Sequence, residues 1–277
     1  MSLRRSRWGL AAALSLGCAR VVVGDSPAPT VAPLDDRWRA EPAAPESVHV
    51  DRAMPSDCPV LPGTAKELAE TPRANAEFEL MALALGGGFT ADSATYDRLR
   101  RDIPSIRAHR PVLKDVTFRG AEFPDRIELA VTTKAFDAIE ARTYHDWDCL
   151  HARYGWIDGR TSASGALRSV TAQLFGRFRR DTIEELYQRL PGVEYASFGG
   201  GFDGSTICAK RAAEDTFHYV FDVAGGDCPA GCIAHHEYDF VSCADGFIEA
   251  RGDWDCTSGA PAPEWEATYG RFGFGCR

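Results

Sequence analysis

The chain has 277 residues, room for one large domain or two small ones, and its 44% hydrophobic content supplies a sizeable core. A formal net charge of −9 and a pI near 5.3 exclude a nucleic-acid partner held by counterion release, which needs a basic surface. Positive charge comes almost wholly from arginine, since the lysines are Lys66, Lys114, Lys134 and Lys210.

The first 18 residues read as an export signal: a basic start at Arg4, Arg5 and Arg7, then an apolar run from Trp8 to Gly17. The run is too short for a membrane span, and no later stretch reaches the roughly 20 apolar residues that a span needs. Leu14-Ser15-Leu16-Gly17-Cys18 resembles a bacterial lipobox, although Ser15 stands where leucine is usual. The resemblance implies cleavage before Cys18 and its lipidation, so that the chain meets the membrane through an N-terminal lipid anchor. Ordinary secretion with cleavage near Val22-Val23-Gly24 is the alternative.

Of nine cysteines, eight remain beyond Cys18, an even number that in an exported chain reads as disulfides. Each bridge would contribute on the order of 2 to 4 kcal/mol.

Residues 19–62 carry proline and charge without a sustained period, the composition of a flexible tether. A helical layer follows over 63–112. Thr64 and Glu67 have capping-box spacing; Phe78, Met81, Ala82 and Leu85 recur at helical steps until Gly86-Gly87-Gly88. Tyr96, Leu99, Ile103 and Ile106 predict a second helix face, with Arg98, Arg101 and Arg107 expected in solvent.

Over 113–198 helices and strands alternate. Ile127–Val131 predicts a strand, and Phe136 to Tyr154 one long helix stopped by Gly155. A strand within 157–164 and another from Ser169 to Phe175 follow. Asp181 and Glu184 predict a capped helix closed by Pro191-Gly192, then the strand Val193–Ala196. Strand, helix, strand, strand, helix, strand is the ferredoxin-like βαββαβ order. The passage Leu190-Pro191-Gly192-Val193-Glu194-Tyr195-Ala196 resembles the last helix-to-strand step of subtilisin-type propeptide and inhibitor domains, which have this fold. That resemblance covers roughly 124–198; it implies a protease-inhibitor role as an alternative function.

Residues 199–277 read as a β-rich, disulfide-containing region packed on that unit. Phe217, Tyr219, Phe221 and Val223 alternate with His218, Val220 and Asp222. Tyr238 and Phe240 share a face with His236, and Asp245-Gly246 signals a hairpin. The end, 252–277, with Trp254, Cys256, Trp265 and Cys276, reads as an irregular tail held by a disulfide. The stretch Gly226-Asp227-Cys228-Pro229-Ala230-Gly231-Cys232-Ile233 ahead of an aromatic strand resembles a group of exported bacterial proteins, a likeness that brings no activity with it. Taken together, the fold class is α+β: N-terminal helices, a ferredoxin-like unit and a C-terminal antiparallel β extension.

Chemistry could reside in two places. Cys228 and Cys232 are spaced for a small structural disulfide; a zinc site using them with His235 or His236, and hence a metal-dependent activity, is the sharper alternative. On a strand, His235, Glu237 and Asp239 share one side, and with Asp227 they form a candidate ligand patch, against the plainer expectation of a solvated sheet face. No catalytic set, phosphate loop or cofactor motif is present in the sequence, and no cofactor is expected. The reading is a cell-envelope binding or interaction module for a small ligand or an envelope protein. Cys18→Ala is expected to abolish acyl labelling of the chain in cells fed a clickable palmitate analogue; labelling that persists would show that the signal has been misread.

Overall fold

A computed structural model describes residues 55–71, 73–119, 125–199, 204–212, 215–226, 232 and 234–269. Three helices open it: α1 (Ala65–Ala69), α2 (Ala76–Leu85) and α3 (Ser93–His109). Strand β1 (Arg126–Val131) leads through α4 (Thr133–Glu140) and α5 (Asp148–Tyr154) to the hairpin β2 (Trp156–Ser164) and β3 (Leu167–Leu174). Helix α6 (Arg180–Gln188) and β4 (Val193–Ser197) follow. The chain then runs through β5 (Thr206–Arg211), β6 (Phe217–Gly225), β7 (Ala234–Ser242), β8 (Ile248–Asp255) and a short helix, α7 (Glu264–Tyr269). The class is α+β.

Two antiparallel four-stranded sheets result, ordered β2-β3-β1-β4 and β5-β6-β7-β8. The second is a meander in chain order. Its strands form a sheet of their own, and the apolar face of that sheet takes the N-terminal helices. One core joins Met81, Leu99, Ile103 and Ile106 of α2 and α3 to Ile207, Phe217, Tyr219, Phe221 and Phe240. A second core lies within the first sheet and its helices, around Ile127, Leu129, Tyr154, Leu174, Ile183 and Tyr187. Helices α2 and α3 and the C-terminal sheet therefore build one unit, and residues 125–198, joined by Leu61 and Leu68 from the start of the described chain, build the other.

Local signals behave as the sequence predicts at several ends. Thr64 and Glu67 form the reciprocal capping box of α1. Gly155, at φ 72°, stops α5, and a Cβ there would lie 2.3 Å from the Phe175 ring, so only glycine fits. The β7–β8 hairpin turns through residues 243–247, longer than a two-residue loop, with Gly246 at φ 88° donating its N–H to the Cys243 carbonyl at 3.0 Å.

Four expectations are corrected. The long helix over 136–154 is two, because Arg142 takes a left-handed backbone (φ 58°) and the chain turns Tyr144 inward, where its hydroxyl donates to the Pro191 carbonyl at 2.6 Å. Burial pushes that phenol's pKa up to about 12. Helix α6 starts at Arg180, so Asp181 lies inside its first turn and accepts from the Thr182 N–H at 2.7 Å. Glu184 turns away to accept from Phe198 N at 2.7 Å. Residues 252–269 of the expected irregular tail hold regular structure, with Trp254 in β8 and Trp265 in α7, and Cys256 is a free thiol, while Cys276 lies outside the described residues. Finally, Arg98 and Arg107 are not solvated. Arg98 bonds Asp102, and Arg107 donates to Glu77 at 2.7 Å and to the Val116 carbonyl at 2.6 Å, because α3 packs against both α2 and the second sheet.

The segment read as tether is held from Cys58 onward. Cys58 is bonded to Cys149 of α5 across 91 residues, and Arg153 and Tyr154 donate to the carbonyls of Gly63 and Pro62. A loop of that length corresponds to about 4 to 5 kcal/mol of unfolded-state entropy. Glu79, fully buried, joins the units: it accepts from Thr71 Oγ1 at 3.0 Å, Arg73 N at 3.0 Å and Arg177 Nη1 at 2.7 Å. Phe89 reaches from the α2–α3 connection into the second core and stacks on Phe178, ring centroids 5.2 Å apart.

Removing one partner of a buried ion pair leaves the other charge uncompensated. Glu79→Ala is therefore expected to lower unfolding stability by about 3–5 kcal/mol, read from urea titrations followed by tryptophan fluorescence; a shift under about 1 kcal/mol would mean that the pair does not tie the units.

Candidate functional site

The central strands β6 and β7 are buried on both faces. One face carries Phe217, Tyr219, Phe221 and Phe240 into the core with α2 and α3. Alternation sends His218, Val220 and Asp222 of β6, and His235, Glu237, Asp239 and Val241 of β7, to the other face. Register places Val220 opposite Asp239, Asp222 opposite Glu237 and Ala224 opposite His235. This is the face of the predicted ligand patch, and the structure brings His235, Glu237 and Asp239 together on it.

It does not leave them in solvent. His235, Glu237 and Asp239 are 3%, 1% and 1% exposed, and Asp222 is 1% exposed. Helix α7 lies over β5 and β6, with Glu266 buried and the Trp265 indole Nε1 3.9 Å from where a Cβ on Gly252 would sit. The expected solvated face is a closed polar layer. Asp222, His218 and Glu266 belong to it and were not singled out as ligands; the strand alternation pointed to the first two, and nothing in sequence pointed to Glu266.

Within the layer His235 is saturated. Its Nδ1 faces the Asp222 carboxylate at 2.8 Å and its Nε2 faces the Cys232 carbonyl at 3.1 Å. Both ring nitrogens thus face a protein acceptor in a closed setting, which makes the residue a structural anchor between β6, β7 and Cys232. His218 Nδ1 lies 3.6 Å from Asp239 Oδ1. On the opposite face His236 stacks on Tyr238 at 4.5 Å and bonds Asp253 at 2.7 Å near solvent.

Asp227 and Cys228 lie outside the described residues, as does Cys18. Cys232, Cys208 and Cys243 are disulfide-bonded, which removes the Cys232 thiolate from the zinc alternative. Among the described residues no group of three or more His, Cys, Asp or Glu is placed to hold a metal ion. No described helix is long and apolar enough to cross a membrane.

Among the described residues, concave sites stand open elsewhere, at places that sequence periodicity does not single out, and two of them combine cavity volume with placed charge. The first, about 290 Å³, lies where the units meet. Leu80 and Leu83 of α2, Phe118 and Phe178 form its apolar lining, and Arg179, Arg180 and Asp181 at the start of α6 line its polar side. Arg179 is fastened by the Gly86 carbonyl at 3.0 Å and by Asp181 at 3.1 Å. Arg180 lies 5.3 Å over the Phe198 ring, and burial lowers its pKa from the usual arginine value. The second, about 300 Å³, is polar and lies between the first half of α3 and the β5–β6 turn.

Compared with known proteins, the chain matches no family model, no curated protein and no solved structure.

The polar layer separates two adjacent histidines by their surroundings. His235→Ala removes a hydrogen-bond partner from the buried Asp222 carboxylate and is expected to cost about 1–3 kcal/mol; His236→Ala removes an exposed pair and should cost well under about 1 kcal/mol. Equal midpoints for the two variants in chemical denaturation would refute this division.

Proposed function

We propose that the chain is an exported cell-envelope protein, lipid-anchored through Cys18, that works as a non-enzymatic binding module. Its ligand site is the cleft between the two units, and the ligand is a small amphipathic molecule with an acidic end. One observation carries this reading: an open cavity of about 290 Å³ whose apolar lining of Leu80, Leu83, Phe118 and Phe178 faces the partly desolvated Arg180. Small-molecule sites combine an apolar lining with a few placed polar groups, and they favour junctions between structural units. An apolar body covers the four hydrophobic side chains while an acidic head meets a guanidinium that has lost part of its hydration.

The export reading is supported by the N-terminal sequence and by the Cys58–Cys149 bridge, since disulfides persist in oxidising compartments. The order β2-β3-β1-β4, with helices after β1 and β3, supports reading 113–198 as a ferredoxin-like unit that serves as one wall of the cleft. The protease-inhibitor reading rests on the Leu190 to Ala196 passage and gains nothing further from the geometry, because β4 leads on to a second sheet.

Ala84, exposed on α2 at the cleft, offers a substitution that fills the site without disturbing a core. The parent chain is expected to enhance 8-anilinonaphthalene-1-sulfonate fluorescence with a saturable isotherm, and Ala84→Trp to weaken that binding at least about tenfold, or about 1.4 kcal/mol. Unaltered binding in a folded Ala84→Trp chain would rule out the cleft as the site.

A further inference from the structure

The second cavity has a charge imbalance that the fold itself creates. Asp102 of α3 is fully buried and serves two guanidiniums: Arg98 Nε donates to its Oδ2 at 2.6 Å and Arg101 Nε to its Oδ1 at 2.9 Å. The Tyr219 hydroxyl, a neutral donor, adds a bond to Oδ2 at 2.9 Å. One negative charge therefore faces two positive ones. Arg98 spends its Nη2 on Ser242 and the Cys243 carbonyl, whereas Arg101 Nη2 is enclosed without a hydrogen-bond partner. An enclosed donor on a cation, left without an acceptor, is costly.

A third guanidinium comes from β5. Arg211 Nη2 donates to Thr95 Oγ1 at 2.8 Å. The Phe217 ring carries Arg98 at 5.1 Å and Arg211 at 5.3 Å from its centroid, so an aromatic platform holds both cations beside one cavity of about 300 Å³. Two aspartates also line it. Asp97 is engaged by Arg100 at 3.6 Å, and Asp215 stands exposed at the β5–β6 turn.

We infer that this cavity binds a small oxyanion, a carboxylate or a phosphate, between Arg101 and Arg211. The anion lies between two guanidiniums that line the cavity and supplies negative charge that Asp102 alone does not provide. The site shares no residue with the inter-unit cleft, so filling the cleft with Ala84→Trp leaves it unchanged.

The test is calorimetric titration of the full chain with sodium phosphate and, separately, sodium acetate, at constant ionic strength held with chloride. One saturable site is expected for at least one of the two anions. Arg211→Ala, at an exposed position, and Arg101→Gln should each weaken it at least about tenfold, or about 1.4 kcal/mol; Arg189→Ala, at the exposed C-cap of α6 and outside the cavity lining, should not change it. Saturation by phosphate alone identifies the ligand class as phosphate, and saturation by acetate alone as carboxylate. No saturable binding of either anion by the parent chain, or binding that survives Arg211→Ala, overturns the assignment.

Discussion

The buried carboxylate of Asp102 is the interaction on which the N-terminal helices and the second sheet both depend. It accepts from Arg98 and Arg101 on its own helix and from Tyr219 on β6, and so pins α3 to the middle of the sheet. Burial and the Asp102 charge together push the Tyr219 phenol far above its ordinary pKa, which keeps it a donor. Arg98 then reaches past the helix to the end of β7, so the same carboxylate orients the start of the β7–β8 hairpin. A buried ion pair seldom stabilises more than an apolar replacement would, but it fixes one arrangement over others. Here it selects which face of the sheet the helix covers, and it leaves one guanidinium in surplus at the cavity edge.

The second consequence follows from that choice of face. With α2 and α3 on the aromatic side of β6 and β7, the polar side needs its own cover, and α7 provides it. Buried polar groups persist when they are hydrogen-bonded. His235 satisfies that condition with Asp222 at one ring nitrogen and the Cys232 carbonyl at the other, which makes the residue a brace between β6, β7 and Cys232. Its chemistry is consumed by architecture. Open chemistry lies instead where the units meet and where α3 approaches β5.

The junction between units is itself polar at its centre and aromatic at its edge. The fully buried Glu79 pairs with the largely buried Arg177, and Phe89 stacks on Phe178. Phe178 belongs at once to the second core and to the cleft lining. The cleft walls are thus set by packing that also holds the units together, a rigid surround for a small ligand.

What the sequence by itself determined is local: periodicity, caps and turns. The alternation of Phe217, Tyr219 and Phe221 with His218 and Asp222, the Thr64–Glu67 box, the Gly155 stop and the grouping of His235, Glu237 and Asp239 on one side all follow from backbone geometry within a few residues. Tertiary structure decided everything that required a distant partner. Alternation says which side chains share a face, not whether that face is covered, and α7, which closes it, lies more than twenty residues beyond β7. Arg98 looked like a solvated charge because its acceptors at Ser242 and Cys243 are 144 and 145 positions away. Neither cavity is legible as a motif, since each is lined by elements far apart in sequence, and the surplus charge at Arg101 exists only once Asp102 is buried with two guanidiniums beside it.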